Sequence, residues 1–410
     1  MNKFWDKSNL WLVVYLLLYI GGLIGLIGFD HPFWTDEHHF YDTIQLFYSS
    51  ISIENLRHYN EMSTPLPFII YALWAKIGGL NLVWLRVLSI LIAVSTFLTF
   101  FTVTKNCFDA RIALLATIFM SLNPYMFGVS FFVYTDMTCI GAIVMALYFI
   151  QKENIIMITL SCALSIWCRQ YAIFFTATIC FYYFVQFIQT KQTIFFIKSI
   201  IVGSAVLTII PLLTIWGGLS PINEMNKLYL GKPLTYQANG LSAYLVAIGI
   251  YCFPILIYGC IANLKTINIK VLIGLFIVSM LYYWAPISPS VCSIEAGFTS
   301  IGFVDKLLHQ LISRTFFIDV LYQLILYMSL VSIYLLWLKA KNSKLVLLTL
   351  ISIMCFLLVM PFSYIVWEKY ILLLLPIIII GYSSIITIDS KHSTNKQGLM
   401  KNSKATNKEC

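Results

Sequence analysis

Charge is what this sequence has least of. Only 10% of its residues are Asp, Glu, Lys or Arg, where a soluble domain carries about 25%. That scarcity excludes a water-soluble enzyme. Ten cysteines are present, but none has CxxC spacing. Cys139, Cys162, Cys180, Cys252, Cys260 and Cys355 sit inside apolar runs, so they read as small packing residues rather than zinc ligands or a disulfide framework. Walker-type and GxGxxG loops are missing too, which argues against a nucleotide-binding domain. No internal repeat is visible.

What is there is apolar. The chain is 60% hydrophobic, with a mean hydropathy of +0.87, and reads as an all-α polytopic membrane protein. About twelve transmembrane helices are expected, near 10–29, 82–104, 112–131, 137–150, 155–168, 172–188, 194–216, 241–262, 271–290, 315–338, 344–361 and 370–388. No small-residue cleavage site follows the first run, so it is expected to stay as a span. The first outer loop, 30–81, is the longest. Two short amphipathic helices are expected in it, near 36–50 and, after Pro65 and Pro67, near 66–78. The organisation expected is a catalytic module over 1–216, a second transmembrane module over 217–388 for acceptor recognition, and a disordered basic cytoplasmic tail over 389–410.

The net charge of +9 needs no nucleic-acid partner. Lys105, Lys152, Lys191, Lys339 and Lys341 fall on one set of connections, which the positive-inside rule makes cytoplasmic. The acids fall on the other set: Asp30, Asp36, Glu37, Asp42, Glu54, Glu61, Asp136, Glu224, Glu295, Asp305 and Glu368. Chemistry on that outer face lacks access to ATP and nucleotide sugars, so an activated substrate must arrive on a lipid.

Asp36 and Glu37 are adjacent carboxylates just beyond the first span, beside Trp34, His38 and His39. Such a pair can supply a general base at the membrane surface. The loop continues through Arg57, His58 and Tyr59 to Ser63-Thr64-Pro65-Leu66-Pro67. Three further polar marks sit at outer span ends: Tyr134-Thr135-Asp136, Cys168-Arg169-Gln170-Tyr171 and Trp367-Glu368-Lys369-Tyr370. Taken singly, each would more often be an interfacial anchor than a catalyst. Together they place acids and bases at one depth on one face. The histidines show no HExxH pair or other defined ligand spacing, so a metal is not expected.

The ordered segments TDEHHF (35–40), STPLPFIIY (63–71), LRVLS (85–89), FVYTDM (132–137) and WCRQYAIFF (167–175) resemble those of GT-C glycosyltransferases that use polyprenyl-phosphate sugars. The likeness is closest to the dolichyl-phosphate-glucose α-1,2-glucosyltransferase family. It covers about the first 180 residues. One departure is Phe40, where that family typically has His.

The resemblance implies inverting, metal-independent transfer of a hexose, glucose favoured, from a polyprenyl-phosphate donor to a surface glycan or glycolipid such as O-antigen. The setting would be the outer face of the inner membrane. Catalytic roles would fall to Asp36 as base, with Glu37 and Asp136. Arg169 would hold the donor phosphate, with Arg57, Arg86 and Lys369 in reserve. Trp34, His39, Tyr59, Tyr134, Gln170 and Glu368 would contact substrate. The rival reading is a polyprenyl-lipid flippase or transporter, which would place charges at mid-membrane and show related halves.

Overall fold

The computed structural model describes residues 7–222, 235–253, 268–295, 297–312 and 314–387. The expected tail, Glu224 and the second half of the expected span 241–262 lie outside them. Among the described residues every regular element is helical. Each of the twelve expected spans falls on an apolar helix, in order, but their lengths differ. Six have the length and composition of a bilayer crossing: Lys7–Ile27, Leu82–Cys107, Gln170–Thr190, Thr193–Trp216, Thr315–Ala340 and Lys344–Phe362. Asp136–Gln151, Ile155–Cys168, Ala238–Tyr251, Ile269–Trp284 and Leu375–Thr387 are shorter.

The expected span 112–131 is not straight. Ala110–Ser121 and Pro124–Phe131 meet at 78°, and the cause is local. Asn123 precedes a proline, which disfavours the helical conformation, and it is extended, at φ −60° and ψ 132°. Its side chain accepts from the Tyr125 amide at 3.0 Å and so caps a new helix. That break delivers Phe131, Phe132 and Tyr134 to the site described below.

The first outer loop holds the two expected helices, Glu37–Ser49 and Leu66–Gly78, and a third, Ile53–His58. Trp74 and Trp84 stack at 4.5 Å across the Gly78–Gly79 turn. Each indole donates to the other residue's carbonyl, at 2.9 and 3.1 Å. A Cβ on Gly78 would run into the Trp84 ring, so the clamp needs that glycine. It fixes where Leu82–Cys107 starts, and with it Arg86.

Packing sorts the helices into lipid-facing and central. Lys7–Ile27 and Thr193–Trp216 are largely exposed apolar surface, whereas Leu372, Leu374, Leu375, Ile378 and Ile379 near the C-terminal end are wholly buried. There Gly381 lets the backbone approach Thr349, which a Cβ would forbid. Helices Leu82–Cys107 and Asp136–Gln151 begin at the acidic end of the molecule. They finish together at a basic end, where Asn106 donates to Gln151 at 3.0 Å and Lys105 to Asn9 at 3.1 Å.

Candidate active site

Four helix ends converge. Asp36 precedes Glu37–Ser49, Asp136 opens its own helix, Arg169 follows Ile155–Cys168, and Lys369 lies in the 3₁₀ turn Glu368–Leu373. Lys369 Nζ lies 3.3 Å from Asp36 Oδ2 and 3.9 Å from Asp136 Oδ2. Arg169 Nη2 donates to the same Asp136 oxygen at 2.9 Å. Residues separated by hundreds of positions thus form one chain of alternating charge.

Two features hold Asp36 in place. Thr35 has φ +47°, a conformation that costs a β-branched residue strain and clusters at functional sites. Its hydroxyl bonds that of Tyr134. Tyr134 also donates to the Trp34 carbonyl at 3.4 Å, and Lys369 lies 5.2 Å from the centre of its ring.

Access separates the carboxylates. The Asp36 side chain is 48% exposed and that of Asp136 is 3% exposed. Glu61, also in the first loop, is 7% exposed. Burial, and then the charge of Asp36, pushes the Glu61 pKa up to about 8. Burial opposes the charge of Lys369, but the carboxylates of Asp136 and Asp36 more than offset it and raise its pKa. The site at neutral pH therefore holds two cations, two carboxylates and a neutral Glu61. Among the described residues no three His, Cys, Asp or Glu side chains gather as a metal site.

The cations differ in what they have free. Lys369 carries three N–H donors, and its one hydrogen bond to a side chain goes to Asp36. Arg169 Nε is buried with no hydrogen-bond partner among the described residues. An anion with several oxygens would satisfy both.

Several sequence expectations need correction. Arg86 is fully buried and has no donor left for phosphate. Its Nε and Nη2 clasp Glu37 at 3.0 and 2.6 Å, while the remaining N–H groups reach the carbonyls of Phe29, His31 and Pro32. These account for all five guanidinium donors. Glu37 is equally committed: it also accepts from the amides of Trp34 and Val133. This pair shapes the 29–37 turn and does not touch the open site. Tyr59 is fully buried and donates to the Ser63 carbonyl. Glu368 is buried, accepting from Tyr125, Tyr251 and two backbone amides. Gln170 ties Met62 to Leu219.

Arg57 is exposed and donates to the Ile215 carbonyl at 3.3 Å. His39 is exposed with its ring against His38, and Trp34 is half exposed, stacked on Phe132. Glu61 was the member hardest to find. The sequence offers only its place among the outer-side acids, between Tyr59 and the Ser63-Thr64-Pro65 turn.

These features place a cluster of two carboxylates and two cations, with Glu61 nearby, at one end of the helices of a polytopic membrane protein. Residues 56–217 match the model of the DIE2/ALG10 family. That match spans 162 of the 410 residues and supports a membrane glycosyltransferase of the GT-C type. The matched stretch carries Glu61, Arg86, Asp136 and Arg169; Asp36 and Lys369 lie on either side of it. Among solved structures, that of ArnT from Cupriavidus metallidurans in the apo state aligns over 93% of this chain and 78% of its own, at 12% identity and a TM-score of 0.43. No curated protein matches the chain.

Proposed function

We propose that the enzyme moves a hexosyl group, glucose by resemblance, from a polyprenyl phosphate to a hydroxyl of a surface glycan or glycolipid, by single inverting displacement. The observation that carries this reading is Lys369 bridging Asp36 and the Asp136–Arg169 pair. Asp36 is the one accessible carboxylate of the group and serves as base. The acceptor O–H gives its proton to Asp36, and the oxygen forms a bond to the anomeric carbon. The bond from that carbon to the phosphate oxygen breaks, and its electron pair leaves with polyprenyl phosphate. Arg169 and Lys369 stabilise that charge. Asp136 orients both cations. The basic helix ends lie opposite the site, which supports an extracytoplasmic catalytic face.

Asp36→Asn keeps the shape and removes the base. Transfer should fall about 10²- to 10⁴-fold while donor binding and membrane insertion persist, read by mass spectrometry of glycans from cells carrying each version. Wild-type transfer in that variant would remove Asp36 from the mechanism.

A further inference from the structure

An open cavity of about 390 Å³ lies beside this site, lined by Tyr125, Phe298, Thr299, Ser300, Phe303 and Trp367, with Gly297, Gly302 and Lys306 completing it. Its size falls in the range of about 300–1,000 Å³ typical of small-molecule pockets. We propose that it is a saccharide subsite that seats a sugar ring of the acceptor, an assignment that rests on the glycosyltransferase reading above.

Three observations support it. The first is the lining. Trp367 and Phe298 meet edge to face at 5.0 Å, and Phe298 and Phe303 are exposed. Aromatic faces bind the C–H face of a pyranose, and neighbouring hydroxyls and backbone groups pair with its O–H groups. Thr299, Ser300 and the glycine backbones supply those groups here. An isoprenoid tail would leave them unpaired at a cost, so the mixed wall favours sugar over lipid.

The second is position. Trp367 is two residues from Lys369, so their Cα atoms are at most about 7 Å apart. A sugar against Trp367 would therefore lie next to the turn that carries Lys369.

The third is that the wall is preformed. Glu368 Oε1 accepts from the Asp305 amide at 2.9 Å, and Oε2 from the Val304 amide at 3.1 Å, Tyr125 at 3.0 Å and Tyr251 at 2.7 Å. Its own amide donates to the Ile301 carbonyl at 2.8 Å. Tyr125 in turn accepts from the Phe303 amide at 2.6 Å. A side chain at Gly302 would collide with Tyr125 and Glu368. One buried carboxylate therefore ties the 301–305 wall to the turn that carries Lys369.

The test uses the full chain in nanodiscs and saturation-transfer NMR with methyl α-D-glucopyranoside, mannopyranoside and galactopyranoside, a readout that needs no turnover. At least one glycoside should receive saturation. In Trp367→Ala its binding should weaken roughly three- to tenfold, and Trp367→Tyr should restore most of it. If Trp367→Ala does not fold, Phe298→Ala at the exposed rim takes its place. Absence of saturation, binding untouched by both ring deletions, or displacement of the glycoside by farnesyl phosphate would each overturn the assignment. Such results leave the transfer reading standing, whereas full transfer by Asp36→Asn would sink that reading and leave the pocket.

Discussion

Two buried arginine–carboxylate pairs sit near each other in this protein, and they differ in how fully their hydrogen bonds are satisfied. In Glu37–Arg86 both side chains are fully buried, and every guanidinium donor has a partner within the chain. In Asp136–Arg169 the arginine makes one side-chain bond, to Asp136, and keeps a buried Nε without a partner, with Lys369 beside it. The first pair is complete and can only hold shape. The second leaves a buried donor without a partner among the described residues. Charge and burial do not separate them; the count of unused donors does.

The comparison breaks most visibly at Arg86. Arg86→Ala leaves the Glu37 carboxylate buried beside two amides and releases three carbonyls. It should destabilise the fold by about 3–5 kcal/mol, read as a large fall in Tm in detergent. Replacing both partners, Glu37→Met with Arg86→Met, should recover much of that loss, because a buried pair contributes little against apolar residues of similar size. A single Arg86→Ala that melts like wild type would show that the pair is not structural.

Arg169→Ala should act on function. Donor kcat/KM should fall roughly 10²- to 10³-fold, with a smaller change in Tm than Arg86→Ala gives. Arg169→Lys should recover part of the activity, since a point charge replaces a fork. If Arg169→Ala melts the protein and leaves the donor kinetics of the surviving fraction unchanged, the two pairs are alike and the contrast fails.

Why one pair is structural was not legible in the sequence. Arg86 and Arg169 are both arginines in short motifs near outer helix ends, and the five acceptors that occupy Arg86 come from Glu37 and three carbonyls some fifty residues away. Helix content was legible because apolar runs repeat along the chain, and the loop helix Leu66–Gly78 was legible from its two prolines. The bend at Asn123 carried a signal, the Asn-Pro step, that a hydropathy window averages away. The meeting of Asp36 with Lys369 joins residues 333 positions apart. Only the shared outer location of both motifs pointed to it.

The gentlest probe of the open pair is Glu61, whose pKa is pushed up to about 8 by burial, then by Asp36. The folded state binds a proton there that the unfolded chain, at about 4.5, has already lost. Stability from this group is therefore full below about pH 4.5 and drains away as pH rises through about 8. Glu61→Gln removes the titration, so its Tm should fall less between pH 5 and pH 9 than that of the wild type. Donor affinity should follow. Above about pH 8 an ionised Glu61 adds negative charge near Arg169 and Lys369, the groups proposed to hold the phosphate, so donor KM should climb in the wild type and stay level in Glu61→Gln. A wild-type KM that is flat across that range would place Glu61 outside the electrostatic reach of the phosphate, and the site around the open pair would then comprise Asp136, Arg169, Lys369 and Asp36 alone.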